Sequence, residues 1–143
     1  MLAFRSTVLV SMFVASTAIS HAEEFPTEPP KLKDAESQGL VRVSTEELKQ
    51  FMPGKVDSKG PTGRRIKTFK ADGSVDTTGF GSRDSTGTWR LDEKKNTYCQ
   101  SFQERRSYMV RCFAVFRAPD GIHYFDYNID TGFFEHTWRR ATE

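Results

Sequence analysis

Residues 86–116 read TGTWRLDEKKNTYCQSFQERRSYMVRCFAVF and contain both cysteines of the chain, Cys99 and Cys112. A charged segment, residues 104–107, separates two runs rich in Tyr, Phe, Val and Thr, which favour β-strands. If the two central residues of that segment form a two-residue hairpin loop, Cys99 faces Cys112. A four-residue loop with the same centre gives the same register, so both loops remain open. Facing residues of a non-hydrogen-bonded pair come close enough for a disulfide, and we predict a Cys99–Cys112 bridge.

The start of the chain predicts export. Arg5 is followed by an uncharged apolar run over residues 7–19, and the small residues Ser20 and Ala22 come next. This pattern is typical of a secretory signal peptide over residues 1–22, cleaved after Ala22. The alternative, a membrane anchor, needs about 20 apolar residues, and the run is shorter. Because disulfides persist outside the cytosol, we expect the protein in a bacterial periplasm or secreted.

Composition limits the remaining organisation of the chain. The 143 residues carry a net charge of +2, and residues 1–22 hold one of the cations, so the rest is nearly neutral. A strongly basic nucleic-acid-binding surface is therefore not expected, and neither is a membrane span. Residues 23–40 are rich in Pro, Glu and Lys, which favours a flexible linker. Residues 41–143 are long enough for a single β domain.

One short N-terminal helix is expected after Ser44. Ser44 and Glu47 form a capping-box pattern, and Val43 and Leu48 are spaced for a hydrophobic staple. The Pro-Gly pair at 53–54 ends the helix. Such a short helix is unstable alone, so we expect its apolar face to cover one end or face of a sheet.

The rest of the domain predicts a mainly β fold. Short runs alternate between apolar and polar residues and are separated by turn signals such as Asp-Gly. About seven strands at even spacing favour an antiparallel meander, closed as a small barrel or folded as a sandwich. Outside the cysteine hairpin, the predicted strands cover residues 65–70, 75–80, 86–91, 122–129 and 133–139.

Several of these features together resemble a protein family. They are an aromatic-Lys-x-Asp-Gly turn, Gly87-x-Trp89, the two cysteines, Asp120-Gly121, Tyr124 and Gly132. The pattern is similar to a family of small exported proteobacterial β proteins known only as a domain of unknown function. The resemblance covers roughly residues 44–138 and implies a compact β domain in the periplasm. It implies no catalytic residues.

We find no pattern that indicates catalysis, and we predict that the protein is not an enzyme and needs no cofactor. The chain has no Gly-x-Ser-x-Gly elbow, and the disulfide removes thiol chemistry. His123 and His136 are the histidines beyond residue 22, and a histidine on a strand is usually a packed side chain. Asp126-x-Asn128-x-Asp130 looks like part of a calcium loop. However, glycine and glutamate are missing from its sixth and twelfth positions, so strand alternation explains it without a metal.

Basic residues cluster at 64–67, at Arg105-Arg106 and at Arg139-Arg140. Solvated strand ends explain such clusters, but Arg105, Arg106, Arg139 and Arg140 lie near aromatic residues and are the candidate binding rim. Its partner outside the cytosol is an envelope protein or an anionic polysaccharide. The oligomeric state is left open.

Two kinds of function remain. The first is an exported cell-envelope binding or interaction module, inhibitor-like in one form, without catalysis. The second is a small β-barrel that binds an apolar small molecule in a cavity lined by phenylalanines. A barrel of fewer than eight strands is usually filled by its own side chains, which favours the first. A hydrolase is a distant third.

Overall fold

The computed structural model describes residues 29–79, 84–104 and 107–141. Residues 1–28, which include the predicted signal peptide, lie outside these ranges. Nine strands and one turn of α-helix follow two 3₁₀ turns, Leu32–Asp34 and Glu36–Gln38. In chain order the elements are β1 (Val41–Arg42), α1 (Thr45–Leu48), β2 (Gly54–Gly60), β3 (Gly63–Phe69), β4 (Ser74–Gly79), β5 (Ser85–Asp92), β6 (Thr97–Glu104), β7 (Ser107–Arg117), β8 (Tyr124–Asn128) and β9 (Phe134–Arg140).

Strands β2 to β9 form a closed barrel. Each strand pairs antiparallel with the next along the chain, and β9 pairs back with β2 through Ser58 and Trp138 among others. The two-residue strand β1 pairs with β7 next to the barrel. The predicted antiparallel meander is therefore confirmed, and of the two predicted architectures the structure has the barrel. Closure leaves no long unpaired sheet edge, which removes a common route to aggregation.

The strand that closes the barrel, β2, was not predicted. We expected a loop around residues 57–63, because Val56 is the one large apolar side chain in Gly54–Gly60. In the structure Asp57 and Ser58 are both buried. Asp57 lies on the outer face and accepts a hydrogen bond from Arg64 Nε at 2.7 Å, whereas Ser58 faces the interior. A strand whose buried positions are polar gives no hydrophobic alternation, and the count of seven was one strand short of the eight-stranded barrel.

The predicted helix is reduced to a single turn, α1. Its capping box is present: Ser44 Oγ accepts from the Glu47 amide at 3.2 Å, and Glu47 accepts from the Ser44 amide. A turn follows in place of the expected further helix. Leu48 and Met52 nevertheless belong to the interior core, so the segment covers one end of the barrel as predicted. We call this the α1 end and the opposite one the far end.

The cysteine hairpin has the predicted register. Cys99 pairs with Cys112, with their Cα atoms 4.0 Å apart, and the disulfide is formed. Glu104 pairs with Ser107, which leaves two residues between the paired positions. Strand β7 has neighbours on both sides over much of its length, as expected for a run that is apolar on both faces.

A second apolar cluster lies outside the barrel. Ala114 and Phe116 of β7 and Tyr127 of β8 project outward and are covered by residues 32–40, of which Ala35 is fully buried. Tyr127 Oη donates a hydrogen bond to the carbonyl of Pro30 at 2.7 Å. The prediction of a flexible linker is therefore wrong for residues 29–40. Residues 29–40 contain few apolar side chains, but the outward-facing side chains of β7 and β8 complete this second cluster.

Candidate functional site

The barrel interior has an apolar half and a polar half. At the α1 end, the aromatic rings of Phe69, Tyr98, Phe113 and Trp138 pack against aliphatic side chains. At the far end, the inward-facing side chains of the same strands are mostly polar and surround an open cavity of about 410 Å³. A cavity of this size falls within the range of small-molecule sites. The residues that line it are Ser58, Thr62, Gly63, Arg65, Lys67, Thr77, Asp84, Ser85, Gln100, Phe102, Met109, Arg111, Glu135 and His136.

Three cationic side chains line this cavity. Arg65 and Lys67 alternate with outward-facing residues on β3, and Arg111 comes from β7 across the barrel. Lys67 is only 6% exposed, and neither it nor Arg65 makes a side-chain hydrogen bond or ion pair within the described residues. Burial lowers the pKa of Lys67, and the charges of Arg65 and Arg111 act in the same direction against Asp126 and Glu135. Three cations and two carboxylates, those of Asp84 and Glu135, therefore share a partly desolvated space.

A β-bulge in β9 adds two further polar groups. Asp126 pairs with His136 and Tyr127 pairs with Phe134, so Glu135 has no partner across the strand pair. The extra residue brings both Glu135 and His136 to the cavity, where regular alternation allows only one of them. Glu135 accepts a hydrogen bond from Asn128 at 2.9 Å and lies 3.4 Å from Arg111 Nη1.

Beside the cavity residue His136 lies a buried carboxylate, that of Asp126. Tyr98 Oη donates to it at 2.6 Å, and His136 Nδ1 lies 3.0 Å from its other oxygen. Burial by itself raises the pKa of Asp126, but His136, Lys67 and the Tyr98 hydroxyl hold that pKa below its ordinary value. Burial, together with Asp126, raises the pKa of Tyr98 well above its ordinary value. The network therefore holds a carboxylate anion between a neutral phenol and an imidazole.

Three buried polar atoms at the cavity have no hydrogen-bond partner within the described residues. They are Arg65 Nε, Thr77 Oγ1 and Gln100 Oε1. Thr77 and Gln100 are each more than nine-tenths buried. Buried polar groups in folded proteins are nearly always satisfied, by protein, water or ligand. A ligand that complements these atoms therefore has a hydrogen-bond acceptor for Arg65 and hydrogen-bond donors for Gln100 and Thr77.

The described residues contain half of the predicted basic rim, Arg139 and Arg140. Arg139 and Arg140 end β9 at the α1 end, where the Arg140 guanidinium lies 4.5 Å from the Phe51 ring centroid. Arg105 and Arg106 lie outside the described residues. The binding rim of four arginines therefore stays a prediction.

The other candidate residues have local roles. His123 Nδ1 lies 2.7 Å from Asp120, within the turn between β7 and β8. Asn128 Oδ1 accepts from the Asp130 amide at 2.9 Å and so caps the turn before β9. Within the described residues, no group of three or more side chains is placed to hold a metal ion. His136, by contrast, lies in the cavity.

The sequence contained a signal for the cavity that the basic-cluster interpretation missed. Arg65, Lys67 and Phe69 share one face of β3, and Phe69 is apolar and 2% exposed. Cations on the same strand face as a core aromatic residue point inward, not into solvent.

Comparison with family models, curated proteins and solved structures finds no match to this chain. The resemblance to a family of small exported β proteins therefore stays a prediction. Among the described residues, no helix is both long enough and apolar enough to cross a membrane.

Proposed function

We propose that this protein is an exported, non-catalytic binding module of the cell envelope, and that its barrel cavity binds a small hydroxylated carboxylate. The observation that carries the proposal is the convergence of Arg65, Lys67 and Arg111 on one cavity that also contains polar atoms without partners. Partly buried guanidinium groups favour carboxylates, because charge-assisted hydrogen bonds replace the lost hydration. The ligand's hydroxyl groups donate to Gln100 and Thr77.

The lining argues against an apolar ligand. Phe102 and Met109 are the large apolar side chains at the cavity, whereas the other aromatic residues of the interior are packed together at the α1 end. An eight-stranded barrel has room for its own side chains or for one small ligand. Here side chains fill the half at the α1 end, and the cavity occupies the half at the far end.

Export is supported by the disulfide and by the pattern of residues 1–22. Cys99 is 1% exposed and bonded to Cys112. Structural disulfides of this kind belong to oxidising compartments. An acidic sugar is a carboxylate with several hydroxyl groups, so an anionic envelope polysaccharide is one source of the ligand.

Calorimetric titration tests the proposal with acetate, lactate, glucuronate and an acidic polysaccharide as probes. We expect the hydroxylated carboxylates to bind better than acetate, and Arg65→Gln to weaken binding about tenfold, which corresponds to about 1.4 kcal/mol. Arg90→Gln, which removes an exposed cation on strand β5, is the matched control and should bind normally. Equal affinities of the two variants, or no binding of any probe, contradict the proposal.

A further inference from the structure

Lys67 differs from the other lysines of the described chain. It is buried in the barrel, 6% exposed, yet it lines the open cavity. Within the described residues it has neither a hydrogen bond nor an ion pair within 4 Å. A lysine in a protein interior normally has a partner, because an unpaired buried charge is costly. An amine without a partner at an accessible cavity is available for reaction.

Burial favours the neutral, nucleophilic form of Lys67, whereas the charges of Asp126 and Glu135 favour the protonated form. Arg65 is two residues along the same strand, and Arg111 faces the cavity from β7; both charges oppose a third. Of the carboxylates, Asp126 on β8 is engaged by Tyr98 and His136, and Glu135 on β9 is engaged by Asn128 and Arg111. Desolvation together with neighbouring cations is the environment that activates lysines toward carbonyl compounds.

We propose that Lys67 captures a small aldehyde or ketone acid as a covalent imine, with the carboxylate of the ligand held by Arg65 and Arg111. This rests on the proposed function, because it uses the same cavity and the same anion anchor. It names a narrower ligand class, the oxo acids.

The step balances without any further reagent. The Nζ lone pair of neutral Lys67 attacks the carbonyl carbon and forms the C–N bond while the carbonyl π bond moves onto oxygen. Proton transfer from nitrogen to oxygen gives a carbinolamine. Loss of that hydroxyl as water, which leaves through the open cavity, produces the C=N bond. The reverse hydrolysis releases the ligand, so capture is reversible.

Reductive trapping tests this inference. The protein is incubated with glyoxylate and cyanoborohydride at pH 7, and peptide mass spectrometry locates carboxymethylated lysines. We expect Lys67 to be labelled several-fold faster than Lys59, an exposed lysine on neighbouring β2, since a lowered amine pKa leaves a larger neutral fraction at pH 7. Acetaldehyde, which has the carbonyl but no carboxylate, should label Lys67 more slowly than glyoxylate.

Variants and a carbonyl-free probe complete the test. Lys67→Met should abolish the fast labelling and Lys59→Arg should leave it unchanged, with melting curves recorded for both. The mapping of the unaltered protein does not depend on whether Lys67→Met folds.

Glycolate has the carboxylate and no carbonyl. If glycolate binds while Lys67 is labelled no faster than Lys59, the imine is overturned and the binding proposal stands. If neither glycolate binding nor selective labelling is observed, both are overturned.

Discussion

At the scale of single residues, the polar half of the barrel depends on a few buried charges that compensate one another. Asp126 is completely buried, and it is tolerated because Tyr98 donates to it and His136 lies beside it. Removing one partner from such a group leaves the other unsatisfied, which costs more than the bond itself contributes.

Asp126→Asn should therefore lower the free energy of unfolding at pH 7 by about 1.5–3 kcal/mol, the range for hydrogen bonds to charged groups. The pKa of Asp126 is lowered in the folded state, so the unfolded state binds its proton more readily. The stability that this carboxylate contributes is present above the ordinary carboxyl pKa and is lost as pH falls through the lower folded value. Urea unfolding at pH 7 and pH 3 measures both effects.

The control for this prediction is Asp130→Asn, at an exposed position in the turn before β9. The native protein and Asp130→Asn should lose similar stability between pH 7 and pH 3, and Asp126→Asn should lose less. An equal loss in all three proteins contradicts a lowered pKa of Asp126.

At the scale of elements, two additions hold the barrel strands in place. The Cys99–Cys112 disulfide fixes the register of β6 on β7. The segment 29–40 covers the outer faces of β7 and β8. Neither addition touches the cavity, so both concern stability and not binding.

Replacing both cysteines with alanine should lower the melting temperature by several degrees and leave the β-sheet circular dichroism unchanged. The cysteines are 13 residues apart, and closing a loop of this size is valued at about 3 kcal/mol in the chain-entropy account. Thiol titration of the denatured, unreduced protein should find no free thiol. Two free thiols per chain in protein purified from the periplasm would show that the bridge does not form there.

Ala35→Glu should detach the segment 29–40 from the barrel. Ala35 is fully buried, so a carboxylate there is desolvated without a partner and the outer core opens. We expect a loss of about 2–4 kcal/mol in urea unfolding, together with faster amide exchange over residues 29–40. Glu36→Ala changes the next residue, which is exposed, and should alter stability by less than about 0.5 kcal/mol.

At the scale of the whole molecule, the pairing of β2 with β9 closes the meander into a barrel with an enclosed interior. The inward-facing side chains of eight strands fill one half of the barrel and leave a polar cavity in the other. Because of this cavity, we propose binding of a small molecule inside the barrel and not binding of a partner at a surface of basic residues.

Export is the prediction that concerns the complete chain. Protein recovered from the periplasmic fraction should begin at Glu23, as determined by intact mass, because cleavage is expected after Ala22. A chain that retains Met1, or that accumulates in the cytosol, contradicts the signal peptide and removes one of the reasons for expecting the disulfide.

The sequence by itself determined the local features of this protein. The capping box at Ser44, the turn positions, most strands and the register of the cysteine hairpin all depend on residues that are near one another in the chain. Such signals are readable because spacing and turn chemistry act over a few residues.

Only the tertiary structure decided closure and the site. Strand β2 was not predicted because Asp57 and Ser58 are polar, and their burial depends on Arg64 and on β9, where Ser58 pairs with Trp138, 80 residues later. Arg65 and Lys67 resemble a solvated cluster until the barrel places Arg111 opposite them and brings His136 to the same cavity. Burial and electrostatic environment are properties of residues brought together from distant parts of the chain, and a local pattern indicates only which face of a strand points inward.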